Sequence, residues 1–248
     1  MSSDDGRRPP EQPSGESSAD LLGRLRTAER GPLMVVREFV VSVTAVAFVG
    51  LLLFSISGIW PPMVAVESGS MEPHMHRGDL VFVTEPGRFA PDAAHGDTGV
   101  VTHRNGERVG YRKFGGYGSV VVYDTPGSNG APIIHRARFW VEKGENWYGK
   151  ADESYLGAES CSELPNCPAP NAGFITKGDN NPSYDQVNGI AADPIRPEWI
   201  TGVARVRIPY LGWIRLAFAG VTTDAPMWAG VSVDRASLVA VDRSPAAT

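Results

Sequence analysis

Cysteine is nearly absent from this chain: 248 residues carry two, Cys161 and Cys167. A structural zinc site needs four ligands, and no further pair stands at a suitable spacing beside these two. They sit close together in a loop with Pro and Ser, where a short disulfide and a pair of free thiols are both open readings. Positive charge is also scarce. Lys and Arg number 23 against 28 Asp and Glu, a net charge of −5, so the basic face of a nucleic-acid binder is missing. Lysine is rare beside arginine. Between residues 63 and 208 there is neither a long amphipathic helical pattern nor an internal repeat, which leaves a mainly β domain.

Only one long apolar run is present. From Phe39 to Trp60 no residue is charged, about the ~20 residues that span a bilayer as a helix. A cleavable leader would have a shorter apolar core nearer the N-terminus and a small-residue cleavage site. Here a polar tail precedes the run, and Trp60-Pro61-Pro62 ends it, so a retained anchor is expected. Arg24, Arg26, Arg30 and Arg37 lie before it, and no Lys or Arg follows until Arg77. The positive-inside rule then puts the N-terminus in the cytoplasm and the rest outside. The expected organisation is a disordered cytoplasmic tail over 1–20, a juxtamembrane segment over 21–38, and a transmembrane helix over 39–60. An extracytoplasmic β-rich domain follows over 61–212. The C-terminal segment, 213–248, is aromatic but interrupted by Arg215 and Asp224, as in a buried element or a stretch lying on the membrane surface.

Short Val-rich runs predict strands at Leu80–Val83, Gly99–Thr102, Ser119–Tyr123, Ile133–Ile134 leading into Phe139–Val141, Phe174–Thr176 and Thr201–Ile208. Gly, Pro and Asn clusters separate them. The chemistry-bearing residues fall at the ends of these runs. Ser68-Gly69-Ser70-Met71-Glu72-Pro73 places two hydroxyls on a tight turn soon after the apolar run. A serine attacks only when a base takes its proton and an acceptor orients that base. His135 closes the apolar Ile133-Ile134, and Asp179 and Asp185 lie in the loop after Phe174–Thr176. His103 is the rival base, but Val101-Thr102-His103-Arg104-Asn105-Gly106 reads as a strand running into a turn at the surface.

Taken in order, Ser-Gly-Ser-Met-Glu-Pro, Arg77-Gly78-Asp79-Leu80-Val81, Ile134-His135-Arg136 and Lys177-Gly178-Asp179-Asn180-Asn181 through Asp185 resemble the type I signal peptidases. They are most similar to the archaeal and endoplasmic-reticulum branch, where histidine stands in place of a bacterial lysine base. The resemblance runs from the anchor to about Gly212. Two positions depart from it: Gly118-Ser119-Val120 where the family often has Gly-Asp-Val, and Arg136-Ala137 where Arg-Val is common.

The resemblance implies curved antiparallel sheets behind one N-terminal transmembrane helix, and a membrane-anchored serine endopeptidase that removes signal peptides from exported preproteins. Ser70 would be the nucleophile and His135 the base. Ser68 would serve the oxyanion with the backbone N–H of Ser70, and Met71 would pack beneath the turn. Asp185 is the stronger catalytic candidate and Asp179 important or structural, with both open as the group that orients His135. No cofactor or metal is implied. The expected partners are signal-peptide-bearing preproteins and the lipid bilayer at the cell membrane, with the secretion translocon as a further candidate and no nucleic acid. Residues 87–118 and 143–170 read as loop-rich insertions. Two other readings stand beside this one. The first is an anchored β domain binding partners, or a metal through His74, His76, Cys161 and Cys167. The second is a self-cleaving or single-substrate protease, against which the anchor and His135 argue.

Overall fold

The computed structural model describes residues 32–127 and 130–218. The tail over 1–20, most of the juxtamembrane segment and the C-terminal residues beyond Phe218 lie outside the described residues. The chain divides into two compact units, one ending at Ile56 and one beginning at Ser57.

Helix α1, Pro32–Ser57, has a mean hydropathy of 2.6 over its most apolar 18-residue window, and no residue of that window is buried. It is long and apolar enough to cross a membrane. Its bounds differ from the expected 39–60. The helix already includes Arg37 and Glu38, and it stops at Ser57, before Gly58 at φ 81°. Pro32 at its first turn lacks only an N–H that a helix start leaves unbonded anyway.

The second unit is built on one six-stranded antiparallel sheet. In chain order its strands are β1 (Met63–Ala65), β2 (Leu80–Thr84), β5 (Val120–Tyr123), β6 (Ile133–Val141), β7 (Gly173–Lys177) and β8 (Ile200–Ile208), arranged β1-β2-β8-β5-β6-β7. Between β2 and β5 lie helix α2 (His103–Val109) and a small ribbon of β3 (Arg112–Lys113) and β4 (Gly116–Tyr117). Helix α3 (Asp185–Asn188) follows β7, and α4 (Gly212–Phe218) follows β8. The mainly β, antiparallel expectation therefore holds, and the two runs at Ile133–Ile134 and Phe139–Val141 form a single strand.

The alternation of side chains along a strand divides the core. All four residues of β5 are buried because both sheet faces are covered. Val121 and Tyr123 pack on one face with Ala137, Phe174, Ile195, Ile200 and Val203. Val120 and Val122 pack on the other with Val66, Met71, Met75, Val81, Val83 and Ala204. A third cluster lies under the 143–170 insertion, where Trp147, Leu156 and Leu164 meet Phe139, Ile175 and Tyr184. The two cysteines are joined as a disulfide at 2.00 Å, closing the loop that carries Leu164 and Asn166. The Asn166 carbonyl accepts the indole N–H of Trp147 at 2.9 Å.

One sequence expectation fails. Gly99–Thr102 forms no strand; Val100 and Val101 are buried in loop conformation, and His103 opens helix α2. Thr102 caps that helix by accepting the N–H of Asn105, and Gly110 ends it at φ 74°. The Val-Val pair masked a capped helix whose start and stop signals were both present.

Candidate active site

The serine turn is the connection between β1 and β2. Val66 N–H bonds the Asp79 carbonyl and Gly78 N–H bonds the Val66 carbonyl, so the turn closes at its base. Within it Met71 accepts at its carbonyl from both His74 and Met75, and its side chain is fully buried against the sheet. The buried Asp79 carboxylate accepts from His76 N–H and Arg207 and fixes the far end. The loop after β7 holds the near end. Asn180 N–H donates to the Ser70 carbonyl at 2.8 Å, and its amide donates to the Gly69 carbonyl at 3.2 Å. That approach is close enough to require glycine at 178, where a Cβ would come within 2.6 Å of the Ser70 carbonyl oxygen.

His135 is the third residue of β6, directly opposite Val121. Its ring lies between two partners: Nε2 is 3.0 Å from Ser70 Oγ, and Nδ1 is 2.7 Å from Asp185 Oδ2. Asp185 begins α3 and is fully buried. Its Oδ2 also accepts the Tyr123 hydroxyl at 2.9 Å. Burial, and then the Asp185 charge, push the Tyr123 hydroxyl well above its ordinary range, so it remains a donor. Tyr123 sits diagonal to His135 across the β5–β6 ladder, on the same face. Thr176, opposite Ala137 on β7, lies 3.3 Å from the Tyr123 hydroxyl. Three neighbouring strands thus supply the histidine and the tyrosine that meet one carboxylate and the threonine that meets the tyrosine.

Asp179 does not join this group. The neighbour of His135 on β6, Arg136, points to the opposite sheet face and clasps Asp179 through both oxygens, Nε–Oδ1 at 2.8 Å and Nη2–Oδ2 at 2.6 Å. Arg136 is 1% exposed, and its Nη1 satisfies the carbonyls of Lys113, Tyr117 and Gly118. His74 Nδ1 meets Asp179 Oδ2 at 2.8 Å. Burial alone would raise the Asp179 pKa, but the Arg136 hydrogen bonds and charge, with His74, hold it below the usual carboxylate range.

Ser68 lies beside the nucleophile candidate, its Oγ donating to Ser70 Oγ at 3.2 Å. Both serines and His135 open onto a cleft of about 890 Å³ lined largely by aliphatic side chains, among them Ile59, Val64, Val83, Val122 and Ile134. His103 is elsewhere, edge-on to Tyr117. Burial, and then Arg138, lower its pKa to about 4. The set His74, His76, Cys161 and Cys167 is not assembled: the cysteines bond each other, His74 bonds Asp179, and His76 lies beside Arg207. Among the described residues no group of three or more His, Cys, Asp or Glu is disposed to hold a metal.

Sequence reasoning missed Tyr123, Arg136 and Lys177. The signal for Tyr123 was its two-residue spacing from Val121 on a strand that pairs with the histidine's. Arg136 was visible as the next residue after His135, on the other face by strand alternation. The buried Lys177 carries no such pattern.

No family model matches the chain. Among curated proteins it is similar to the signal peptidase complex catalytic subunit sec11 of Aspergillus oryzae, 31% identical over 179 residues, 71% of this chain and 74% of that protein. The signal peptidase complex catalytic subunit SEC11C of Mus musculus is 28% identical over 204 residues, 81% of this chain and 80% of that one. The SEC11 subunit of Schizophyllum commune is 30% identical over 162 residues, 63% of this chain and 64% of its own, just under two thirds of its length. Relatives of that identity and coverage define the family: this chain belongs to the signal peptidase complex catalytic subunits.

Proposed function

We propose that this protein is a membrane-anchored serine endopeptidase that cleaves N-terminal signal peptides from exported preproteins, with Ser70 as nucleophile and His135 as base. The observation that carries the reading is the continuous chain Ser70 Oγ–His135 Nε2 and His135 Nδ1–Asp185 Oδ2, at 3.0 and 2.7 Å, opening into an apolar cleft. Ser70 donates its proton to Nε2 as its oxygen bonds the scissile carbonyl carbon. Asp185 accepts from Nδ1–H, fixing the tautomer and stabilising the imidazolium. The oxyanion of the tetrahedral intermediate takes the Ser68 hydroxyl and the Ser70 N–H. Donors placed where charge develops contribute about 2.7–4 kcal/mol each. Collapse breaks the C–N bond, Nε2 protonates the leaving amine, and an ester remains on Ser70. Water then gives its proton to Nε2, attacks the ester, and releases the new carboxylate and the serine.

Asp179 supports the site through the serine turn rather than through the histidine. The apolar cleft suits an extended chain with small side chains before the cut. The run of arginines before α1 orients the N-terminus to the cytoplasm and the peptidase domain outside the cell membrane. There a translocated preprotein presents its cleavage end, with the bilayer and the secretion translocon as partners. The test is incubation of detergent-solubilised full-length protein with a preprotein carrying a small-x-small cleavage site. Wild type releases the mature protein and Ser70→Ala does not; equal cleavage by both would overturn the reading.

A further inference from the structure

We propose that Lys177 is a positioning residue for Ser70: its ammonium gathers three carbonyls of the loop over residues 178–181 and thereby fixes the backbone that holds the serine turn. The inference rests on the reading of Ser70 as nucleophile. Lys177 ends β7 and is 3% exposed. Its Nζ donates to the carbonyls of Gly178 at 2.9 Å, Asn181 at 2.5 Å and Asp179 at 3.4 Å. An ammonium has three donors, and here they converge on three backbone acceptors of a four-residue loop. The ring of Tyr155 covers it, with Nζ 4.4 Å from the ring centroid. Burial, and then Arg138, lower its pKa, while Asp179 leads the groups that oppose this.

The loop needs such a group because of what its other atoms do. Its outward-facing atoms bond the Ser70 carbonyl through Asn180 N–H, the Gly69 carbonyl through the Asn180 side chain, and Arg136 and His74 through Asp179. Turning those groups toward the serine drives the carbonyls inward, where unbonded acceptors are costly. A cation at their focus satisfies them together. Tyr155 belongs to the 143–170 insertion. Its ring also packs edge-on against Tyr184 at 5.7 Å, the residue before Asp185. One insertion side chain therefore braces both the support of Ser70 and the segment that carries the carboxylate for His135.

The test compares full-length wild type and Lys177→Met, which keeps the apolar stem and removes the donors, in the preprotein cleavage assay. The expected result is a kcat lower by about 100-fold with KM within about twofold, since small displacements of a reacting group act on the chemical step. Labelling of Ser70 by a serine-directed phosphonylating reagent should slow in proportion, and the pH–rate profile should keep its wild-type shape. A purely structural lysine would lower Tm and leave kcat intact below the melting range. An unchanged kcat, a loss carried by KM, or an altered pH profile would each overturn the inference. Should Lys177→Met not fold, Tyr155→Leu decides: about a 10-fold loss in kcat at constant KM supports the inference, and an unchanged kcat overturns it. Cleavage by Ser70→Ala at the wild-type rate would sink the functional reading and this inference together. An active wild type beside an equally active Lys177→Met would sink the inference alone.

Discussion

Among the described residues, two histidine–aspartate pairs are of nearly equal length, His135–Asp185 at 2.7 Å and His74–Asp179 at 2.8 Å. Their surroundings give them different chemistry. The second imidazole nitrogen of His135 meets the Ser70 hydroxyl, and Asp185 is joined by a neutral phenol, Tyr123. Asp179 is clasped at both oxygens by the Arg136 guanidinium, which ties it to β6 while His74 ties it to the serine turn. The two carboxylates are separated by strand geometry. His135 and Arg136 are consecutive on β6 and face opposite sides of the sheet, and each takes one aspartate of the segment after β7, Asp185 at the start of α3 and Asp179 in the loop before it. A histidine–carboxylate contact is thus one element of a relay, and the remaining partners decide whether it moves protons or fixes a loop.

The sharpest way to break this comparison is to remove each histidine. His135→Ala should cut kcat for preprotein cleavage by on the order of a millionfold, while His74→Ala should stay within about tenfold of wild type. Comparable losses would erase the distinction. Ser68→Ala should lower kcat by about 10²–10³ with little change in KM, as removal of one oxyanion donor does. A change confined to KM would remove Ser68 from that role.

On the other side of the comparison the expected effect is on stability. Asp179→Ala leaves the buried Arg136 guanidinium without its counter-charge and should cost about 3–5 kcal/mol in denaturant unfolding. Because the Asp179 pKa is depressed in the fold, its contribution is present above the ordinary carboxylate value and is lost as pH falls through the lower folded value. The acid limb of wild-type unfolding should therefore flatten in this variant. The smallest effect belongs to His103. Its folded pKa of about 4 lies below the ordinary 6.5, so the unfolded chain binds the extra proton between those values and stability falls as pH drops through that window. His103→Gln should remove that slope in thermal melts between pH 6.5 and 4 and leave cleavage intact. An unaltered slope would contradict the burial of a neutral ring.

Much of the fold is legible from strand-length Val-rich runs, because a run such as Val120–Tyr123 is apolar on both faces only if the sheet is covered on both sides. The order serine, histidine, aspartate is legible as well. The choice between Asp179 and Asp185 is not, since both lie in one loop and their partners are set by the face that each β6 side chain takes. Tyr123 and Lys177 escape for a related reason: Tyr123 reads as an ordinary strand residue and Lys177 as the first residue of the loop after Phe174–Thr176, and their roles depend on cross-strand register and on carbonyl directions. The pairing of Cys161 with Cys167 follows from the path of the loop through Leu164 and Asn166, which spacing alone leaves open.

The most direct measurement is the kcat of preprotein cleavage by Asp185→Asn beside Asp179→Asn, each measured on folded full-length protein. The expected loss is about 10⁴ for Asp185→Asn, which misplaces the imidazole proton, and within about tenfold for Asp179→Asn, whose side chain still bonds Arg136. Equal losses, or the reverse order, would contradict the assignment of Asp185 as the carboxylate behind His135.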